Sequence, residues 1–206
     1  MPDAYLAEAT ALAKARGLAT HLDGARVFNA AVASAAPGQG ALARLREIAD
    51  HFDSLSVCFS KGLGAPVGSA LCGSRELIAS ARRWRKMAGG GLRQAGLLAA
   101  AALHALDHHV ERLADDHAHA RRLAEGLAGL SGVVVEPPQT NIVFLDVEPA
   151  RAQGLVARLA ARGLLITGLY RLRLVTHLDV DAAAIERAVA ILREELSRDP
   201  VPETVR

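Results

Sequence analysis

The spacing of hydrophobic and polar residues changes repeatedly along the first half of the chain, which predicts helices and strands in turn. In residues 3–16 apolar side chains recur at helical spacing, and Gly17 follows the last of them. Residues 18–23 are strand-like, and residues 40–50 are helical. Residues 54–60, SLSVCFS, form an apolar run that predicts a strand covered on both faces.

Three consecutive glycines at residues 89–91 separate a further strand and helix from a long helical region. Residues 66–72 predict a strand, and its leading proline fits an edge position or a strand start. Ser74 is placed to cap a helix that continues to Arg85. An Ala- and Leu-rich stretch at residues 93–130 predicts one long helix.

The second half of the chain has the pattern of a smaller unit with its own sheet. Strands are predicted at residues 133–135, 141–147, 164–167 and 171–176, and helices at residues 148–162 and 181–198. We therefore predict the α/β class, with part of a mostly parallel sheet in residues 1–115 and a small α+β domain in residues 116–206.

Composition and charge exclude several kinds of protein. The chain has 206 residues, 51% hydrophobic and 22% charged, so we expect an ordered fold with a sizeable core. A net charge of +2 favours neither nucleic acid nor a membrane surface as a partner. The apolar stretch 95–106 is too short for a membrane span and predicts a buried helix. Cys58 and Cys72 lie in apolar runs, which indicates reduced core thiols and a cytoplasmic location.

Lys61 is the first residue whose position suggests chemistry. It directly follows the apolar run at residues 54–60, and open α/β sheets bind ligands at the carboxyl ends of their strands. Gly62 and Gly64 would let the backbone approach a cofactor. An amine there can form a Schiff base with an aldehyde, because burial frees its nucleophilic form. The alternative is a lysine at a strand end that reaches out to water.

Asp23 ends a strand 38 residues before Lys61. That interval fits a crossover with a helix, returning to a parallel neighbouring strand, so both side chains would lie at one sheet edge. A carboxylate there suits pyridoxal phosphate (PLP), because it keeps the ring nitrogen protonated and the ring able to accept electrons. The alternative is that Asp23 caps the turn at Gly24.

Five segments together resemble the low-specificity L-threonine aldolases: HLDGARVFNA, CFSKGLGAPVGSALCGS, RRWRKMAGGGLRQAG, TNIVFLDV and RLRLVTHLDV. They span nearly the whole chain. The resemblance implies a PLP enzyme of the aspartate-aminotransferase fold (fold type I), in which residues 1–115 form the C-terminal part of the large domain. It also implies an amino-acid substrate and a homo-oligomer, a dimer or tetramer with active sites at subunit interfaces.

The resemblance implies roles for individual residues of the cofactor site. Lys61 is expected to bind the PLP aldehyde, Asp23 to pair with the ring nitrogen, and Arg26 to lie near the phenolic oxygen. Lys86 and Arg93 are expected to approach the cofactor phosphate, in the site of this or a neighbouring subunit. From the residues alone, RRWRK is a solvated basic helix face, and the three glycines after it form a loop that can wrap an anion.

Arg173 is the predicted substrate-binding residue. Alternation in residues 171–176 places Arg171, Arg173 and Val175 on one face of a strand. A guanidinium on a strand can bind a carboxylate through two parallel hydrogen bonds. The resemblance implies that Arg173 binds the carboxylate of the amino acid, with Arg171 as the alternative.

Histidines near the middle of the chain do not predict a metal site. His104 and His108 have the helical i, i+4 spacing that metal sites use, and further histidines and acidic residues follow. However, no HExxH motif is present, and alternating acidic, histidine and arginine residues are typical of a solvated helix. We therefore expect no metal ligands here.

The reaction implied by the resemblance is cleavage of L-threonine or L-allo-threonine to glycine and an aldehyde. Two alternatives stay open: a related PLP-dependent lyase that eliminates a β-substituent, and an inactive fragment. The second arises because family members carry a further region before HLDGAR, which holds the cofactor phosphate and stacks on the ring. No such loop precedes Asp23 in this sequence. We therefore expect this chain alone to cleave threonine poorly.

Overall fold

The computed structural model describes residues 2–168 and 171–198, and this part of the chain divides after Leu113 into two compact units. Each unit contains one sheet and is described by itself. The assignment of residues 1–115 to a cofactor-binding domain and of residues 116–206 to a small domain stays a prediction, and residues 199–206 lie outside the described residues.

The first unit contains a three-stranded sheet with the strand order β1-β2-β3. β1 and β2 are parallel, whereas β2 and β3 are antiparallel, so the predicted mostly parallel sheet has one pairing of each kind. The elements are α1 (Asp3–Ala15), β1 (His21–Gly24), α2 (Val27–Ser34), α3 (Ala41–Ala49), β2 (Ser54–Cys58), β3 (Ser69–Gly73), α4 (Arg75–Met87) and α5 (Gly96–His108).

The two faces of this sheet differ in chemistry. Leu55 and Val57 of β2 point to the face that joins the hydrophobic core of the unit, to which α1, α2 and α3 contribute. Ser54 and Ser56 alternate with them and give the opposite face a polar character. Only Val57 of β2 is buried, so the prediction of a strand covered on both faces is wrong for the described chain. The alternation of serine with apolar residues is the physical reason.

α4 and α5 are largely exposed. No residue of α4 is buried, and Ala105 is the buried residue of α5. The predicted buried helix at residues 95–106 is therefore wrong, because an Ala-rich pattern makes a helix apolar without providing anything to cover it. Leu97, for example, is 82% exposed. None of the helices in residues 2–168 and 171–198 is long and apolar enough to cross a membrane.

The start of α4 follows the prediction, while the long helix after it does not. Ser74 caps α4 by accepting a hydrogen bond at its hydroxyl from the Leu77 amide (3.2 Å). The helix predicted for residues 93–130 is divided into α5 and α6 (Leu113–Leu127), since α5 ends at its C-cap residue His109.

The second unit is an antiparallel sheet covered on one face by helices, which confirms the predicted α+β arrangement. The strand order is β4-β5-β7-β6, and the buried face includes Val143, Leu145, Leu172 and Leu174. The predicted helix at residues 148–162 is divided in two at Gly154 (φ +66°). The elements after α6 are β4 (Val133–Glu136), β5 (Ile142–Val147), α7 (Pro149–Ala152), α8 (Leu155–Ala161), β6 (Thr167–Gly168), β7 (Arg171–Val175) and α9 (Ala182–Ser197).

Both cysteines are free thiols, as predicted, but neither lies in the core. Cys58 is half-buried at the end of β2, and Cys72 is exposed on β3. Cys72 pairs with Leu55 and so points to the apolar face of the sheet. It is exposed there because β3 is the edge strand and the helices of the core do not reach over it.

Gly24 allows β1 to approach β2 closely, which makes it a test of this pairing. An added Cβ would lie 2.6 Å from the carbonyl oxygen of Ser56. We expect Gly24→Ala to lower the free energy of unfolding by about 1–3 kcal/mol, because the backbone of β2 must move to accept the methyl group. Gly96→Ala is the control, since an added Cβ there meets nothing within 4 Å and alanine favours the helix. Urea denaturation followed by circular dichroism measures both, and equal stability would contradict the prediction.

Candidate active site

Asp23 and Lys61 lie at the same edge of the sheet in the first unit. β1 and β2 are parallel neighbours, as predicted, and Asp23 is opposite Ser56. β2 ends at Cys58, and Lys61 follows three residues later. Both candidate side chains are exposed, although Lys61 was expected to be buried. The topology thus brings the carboxylate and the amine to one edge without pairing them.

One oxygen of the Asp23 carboxylate has a structural role. Oδ1 accepts a hydrogen bond from the backbone amide of Ala25 at 3.2 Å, which is the turn-capping contact considered above. Within the described residues, Oδ2 has no hydrogen-bond partner. Asp23 therefore stabilises the turn after β1 and still offers one carboxylate oxygen to a ligand.

The Lys61 amine contacts a cysteine that the sequence analysis did not identify as a site residue. Nζ of Lys61 donates to Sγ of Cys58 at 3.5 Å, and Oγ of Ser60 lies 3.3 Å from the same sulfur. Burial raises the pKa of the Cys58 thiol, but the hydrogen bonds with Ser60 and Lys61 and the charge of Lys61 outweigh it, so the pKa is lowered. The CFSK spacing was the available signal, because a turn after a strand brings residues i and i+3 together.

Residues 60–65, which we call the lysine loop, form a compact turn. The amide of Gly64 donates to the carbonyl of Lys61 (2.9 Å), and the amide of Ala65 donates to the carbonyl of Phe59 (2.9 Å). Nδ1 of His109 lies 2.6 Å from the carbonyl oxygen of Leu63. His109 is a second residue near the candidate site that the sequence analysis did not identify.

Arg26 lies at the beginning of the helix that follows β1. It is the N-cap residue of α2 and is half-buried. Among residues 2–168 and 171–198, its guanidinium has no hydrogen-bond or ion-pair partner. Arg26 therefore has an uncompensated positive charge three residues after Asp23.

Lys86 and Arg93 flank the glycine segment that follows α4, and both are exposed. The amides of Gly89 and Gly90 donate to the carbonyls of Lys86 (3.2 Å) and Arg85 (2.8 Å), so these two donors close the helix and are not free to wrap an anion. In the described part of the chain, neither Lys86 nor Arg93 bonds to Asp23 or Lys61. A role for them at the cofactor phosphate stays a prediction that rests on their side chains.

Arg171 and Arg173 lie on the outer face of the sheet in the second unit, on β7, and their environments differ. Arg171 forms ion pairs with Glu136 and with Asp146 (3.7 Å), and its guanidinium lies 4.5 Å from the centroid of the Phe144 ring. Arg173 is half-buried and has no such partner among the residues that the structure describes. The predicted alternation is confirmed, and Arg173 is the arginine whose guanidinium is available.

A groove of about 480 Å³ lies between the polar face of the first sheet and α4. Ser56, the residue opposite Asp23, is part of its lining. Basic and hydroxyl side chains line it together with apolar ones: Ser56, Ser69, Ala70, Leu71, Ile78, Ala81, Arg82 and Arg85. The groove therefore lies beside the strand position opposite Asp23, and its lining is mixed rather than polar.

The histidines near the middle of the chain form ring contacts. The ring of His104 lies 4.5 Å from that of His108 and 5.2 Å from that of His109, measured between centroids. In residues 2–168 and 171–198, no three His, Cys, Asp or Glu side chains are grouped so that they could hold a metal ion.

Comparison with known proteins places these residues in a family context. The chain is 44% identical over 198 residues to the low specificity L-threonine aldolase of Escherichia coli strain K12. The aligned region covers 96% of this chain and 57% of that protein. It is 42% identical over 193 residues to the probable low-specificity L-threonine aldolase 2 of Arabidopsis thaliana, covering 90% and 52% of the two chains. The chain thus spans just over half the length of these relatives.

A solved structure shows the same fold. The protein from Exiguobacterium, described as a putative aromatic amino acid beta-eliminating lyase/threonine aldolase, superposes with a TM-score of 0.76 at 24% identity. The match covers 95% of this chain and 57% of that one, so the chain has the fold of part of a fold-type I PLP enzyme. The beta-eliminating lyase family matches residues 1–150, most of the sequence. The chain therefore belongs to the beta-eliminating lyase family.

Proposed function

We propose that this chain is part of a PLP-dependent aldehyde-lyase that cleaves L-threonine and L-allo-threonine to glycine and acetaldehyde. The observation that carries the proposal is the parallel pairing of β1 with β2, which puts the Asp23 carboxylate and the Lys61 amine at one sheet edge. Relatives named low-specificity L-threonine aldolase, at 42–44% identity, support the same substrate class.

The candidate residues fit the chemical groups of PLP. Lys61 presents an exposed amine for the aldehyde, and Asp23 keeps one carboxylate oxygen for the ring nitrogen. Arg26 supplies an unpaired guanidinium for the phenolic oxygen, while Lys86 and Arg93 supply positive charge for the phosphate. When bound, PLP supplies a ring that accepts the electron pair of the broken Cα–Cβ bond.

Each proposed residue has a defined task in the cleavage. Lys61 would hold the cofactor through its Nζ atom. Asp23 holds a proton at the ring nitrogen, which favours electron withdrawal. Arg173 binds the substrate carboxylate, and this orientation selects the Cα–Cβ bond for cleavage. A base takes the proton of the β-hydroxyl as the aldehyde forms, and an acid returns a proton to Cα to give glycine.

The family match also supports a second candidate, elimination of a β-substituent. Product analysis separates the two reactions. We expect the purified chain with PLP and L-threonine to release glycine and acetaldehyde in equal amounts. A keto acid with ammonia would instead support elimination. Because we expect this chain alone to cleave threonine poorly, neither pair of products from protein that carries PLP on Lys61 would support the inactive fragment.

We also propose a homo-oligomer, a dimer or tetramer, in the cytoplasm. Four large apolar side chains on α4, on α5 and between them are 65–82% exposed: Trp84, Met87, Leu92 and Leu97. Exposed apolar surface of this kind is typical of a protein–protein interface. Free thiols fit a reducing compartment. Light scattering on the purified protein tests the assembly, and a monomer at micromolar concentration would contradict it.

The attachment point of the cofactor can be mapped directly, because the chain has three lysines, at positions 14, 61 and 86. After incubation with PLP and reduction with borohydride, we expect peptide mapping to find the label on Lys61. Lys14 is exposed on α1 and serves as the internal control for non-specific reaction. Lys61→Ala should abolish the label and Lys86→Ala should keep it. A label spread evenly over the three lysines would overturn the assignment.

Arg173→Ala is expected to weaken amino-acid binding about 10- to 100-fold, because a bidentate contact with a carboxylate contributes about 1.5–3 kcal/mol. Attachment of PLP to Lys61 should change much less. Arg173→Lys should restore only part of the binding, since lysine lacks the planar fork. Titration of PLP-loaded protein with L-threonine, followed by absorbance, measures the change.

Arg171→Ala is the matched control for that titration. The guanidinium of Arg171 is already bound by Glu136 and Asp146, so its removal should affect amino-acid binding less than Arg173→Ala does. A larger loss with Arg171→Ala would show that the wrong arginine had been assigned.

The contact between Lys61 and Cys58 predicts a change in thiol reactivity. The thiolate is the reactive form, so a lowered pKa speeds the alkylation of Cys58 near neutral pH. Lys61→Ala removes a hydrogen bond and a charge that both lower this pKa. The variant should therefore have less thiolate at pH 7 and react more slowly with iodoacetamide. Mass spectrometry follows Cys58, with Cys72 as the internal reference, and an unchanged rate would show that the contact has no influence.

A further inference from the structure

The backbone of the lysine loop is held much more firmly than the Lys61 side chain. Leu63 is 2% exposed and Ala65 is 7% exposed, and both belong to the core of the first unit. Gly62 is so closely packed that an added Cβ would lie 2.8 Å from Cδ2 of Leu113 and 3.1 Å from Oδ1 of Asn29. The loop is thus fixed by packing on both sides of Gly62.

His109 reaches this loop from a point 46 residues farther along the chain. Its Nδ1 lies 2.6 Å from the carbonyl oxygen of Leu63, and because a carbonyl can only accept, Nδ1 carries the proton and donates it. The backbone of His109 is itself fixed, since its amide closes α5 on the carbonyl of Ala105 (2.9 Å) and the following residue, Val110, is buried. The imidazole is therefore held at a fixed place above the loop.

The bond from His109 acts on Lys61 through a single peptide unit. The carbonyl of Leu63 and the amide of Gly64 belong to the same planar group, so they move together. His109 binds the carbonyl oxygen of this peptide group. The N–H of the same group, which belongs to Gly64, donates to the carbonyl of Lys61 at 2.9 Å. A rotation of this peptide plane would break both bonds at once and remove a hydrogen bond from the carbonyl of Lys61.

We propose that His109 is a positioning residue for Lys61. By holding the peptide between Leu63 and Gly64, it fixes the Lys61 backbone and so the point from which the amine extends toward the cofactor. The inference rests on the proposed function of Lys61, and it adds a residue that acts without touching substrate or cofactor.

Three variants of His109 separate a hydrogen-bonding role from a space-filling one. In His109→Asn, the amide nitrogen stands as many bonds from the backbone as Nδ1 does and can donate to the Leu63 carbonyl. His109→Leu fills similar space without a donor. His109→Gln carries its amide one bond farther out. His108→Leu is the matched control, because His108 is exposed and, within the described residues, its ring contacts that of His104 rather than the lysine loop.

Two readouts are taken, one of them on protein without PLP. The first is hydrogen exchange at the Gly64 amide, which we expect to speed up in His109→Leu and His109→Gln and to stay slow in His109→Asn and His108→Leu. The second is the rate of PLP attachment to Lys61 relative to Lys14. We expect a loss of about five- to tenfold in His109→Leu and His109→Gln, the size of one lost hydrogen bond, with recovery in His109→Asn.

The outcomes distinguish this inference from the proposed function. If wild-type protein attaches PLP no faster at Lys61 than at Lys14, the proposed function fails, while exchange at Gly64 still reports on His109. If Lys61 is labelled selectively but His109→Leu matches wild type in both readouts, the inference fails alone. Equal losses in His109→Asn and His109→Leu would also overturn it, since only the fit of the ring would then matter. Should His109→Leu not fold, the comparison of His109→Asn with His109→Gln decides.

Discussion

The candidate site depends on the parallel pairing of β1 with β2, and at Gly24 the two backbones come too close for a side chain. A strand pair of opposite direction would place Asp23 and Lys61 at different ends of the sheet. In the observed register Asp23 is opposite Ser56, and β2 ends two residues later at Cys58. The lysine loop then begins at the edge where β1 also ends, so the carboxylate and the amine share one end of the sheet.

Local elements of the fold could be predicted from the sequence, whereas what covers them could not. The cap at Ser74, the alternation along β7 and the parallel β1–β2 pair all follow from short patterns or chain lengths. The burial of α5 was predicted wrongly, because an apolar helix is buried only if another element packs on it. The prediction that β2 is covered on both faces was wrong for the same reason, since the serines of its polar face are only half-buried. Periodicity shows which side of an element is apolar, but the partner comes from a distant part of the chain.

In the candidate site, too, local sequence signals suggest some residues, while others depend on contacts between distant parts of the chain. Lys61 and Asp23 were found because a charged residue directly after an apolar strand is a local signal. His109 was missed because its acceptor, the Leu63 carbonyl, is a backbone atom that every sequence offers, and the contact joins residues far apart in the chain. The sequence did not distinguish Arg171 from Arg173 by spacing. Acidic side chains on neighbouring strands, Glu136 and Asp146, make the difference.

The structure combines a tightly packed loop backbone with an exposed amine, and the proposed chemistry needs both. An amine that must bind an aldehyde and later leave it has to be displaced at little cost, and the contact from Lys61 to Cys58 is a long one to sulfur. A salt bridge to Asp23 would instead hold the amine protonated and occupy the carboxylate. In the described part of the chain Asp23 forms no ion pair with Lys61, and one of its oxygens accepts a hydrogen bond from the Ala25 amide. The second oxygen of Asp23 therefore stays open to a ligand at the sheet edge, while the Lys61 amine contacts Cys58 instead.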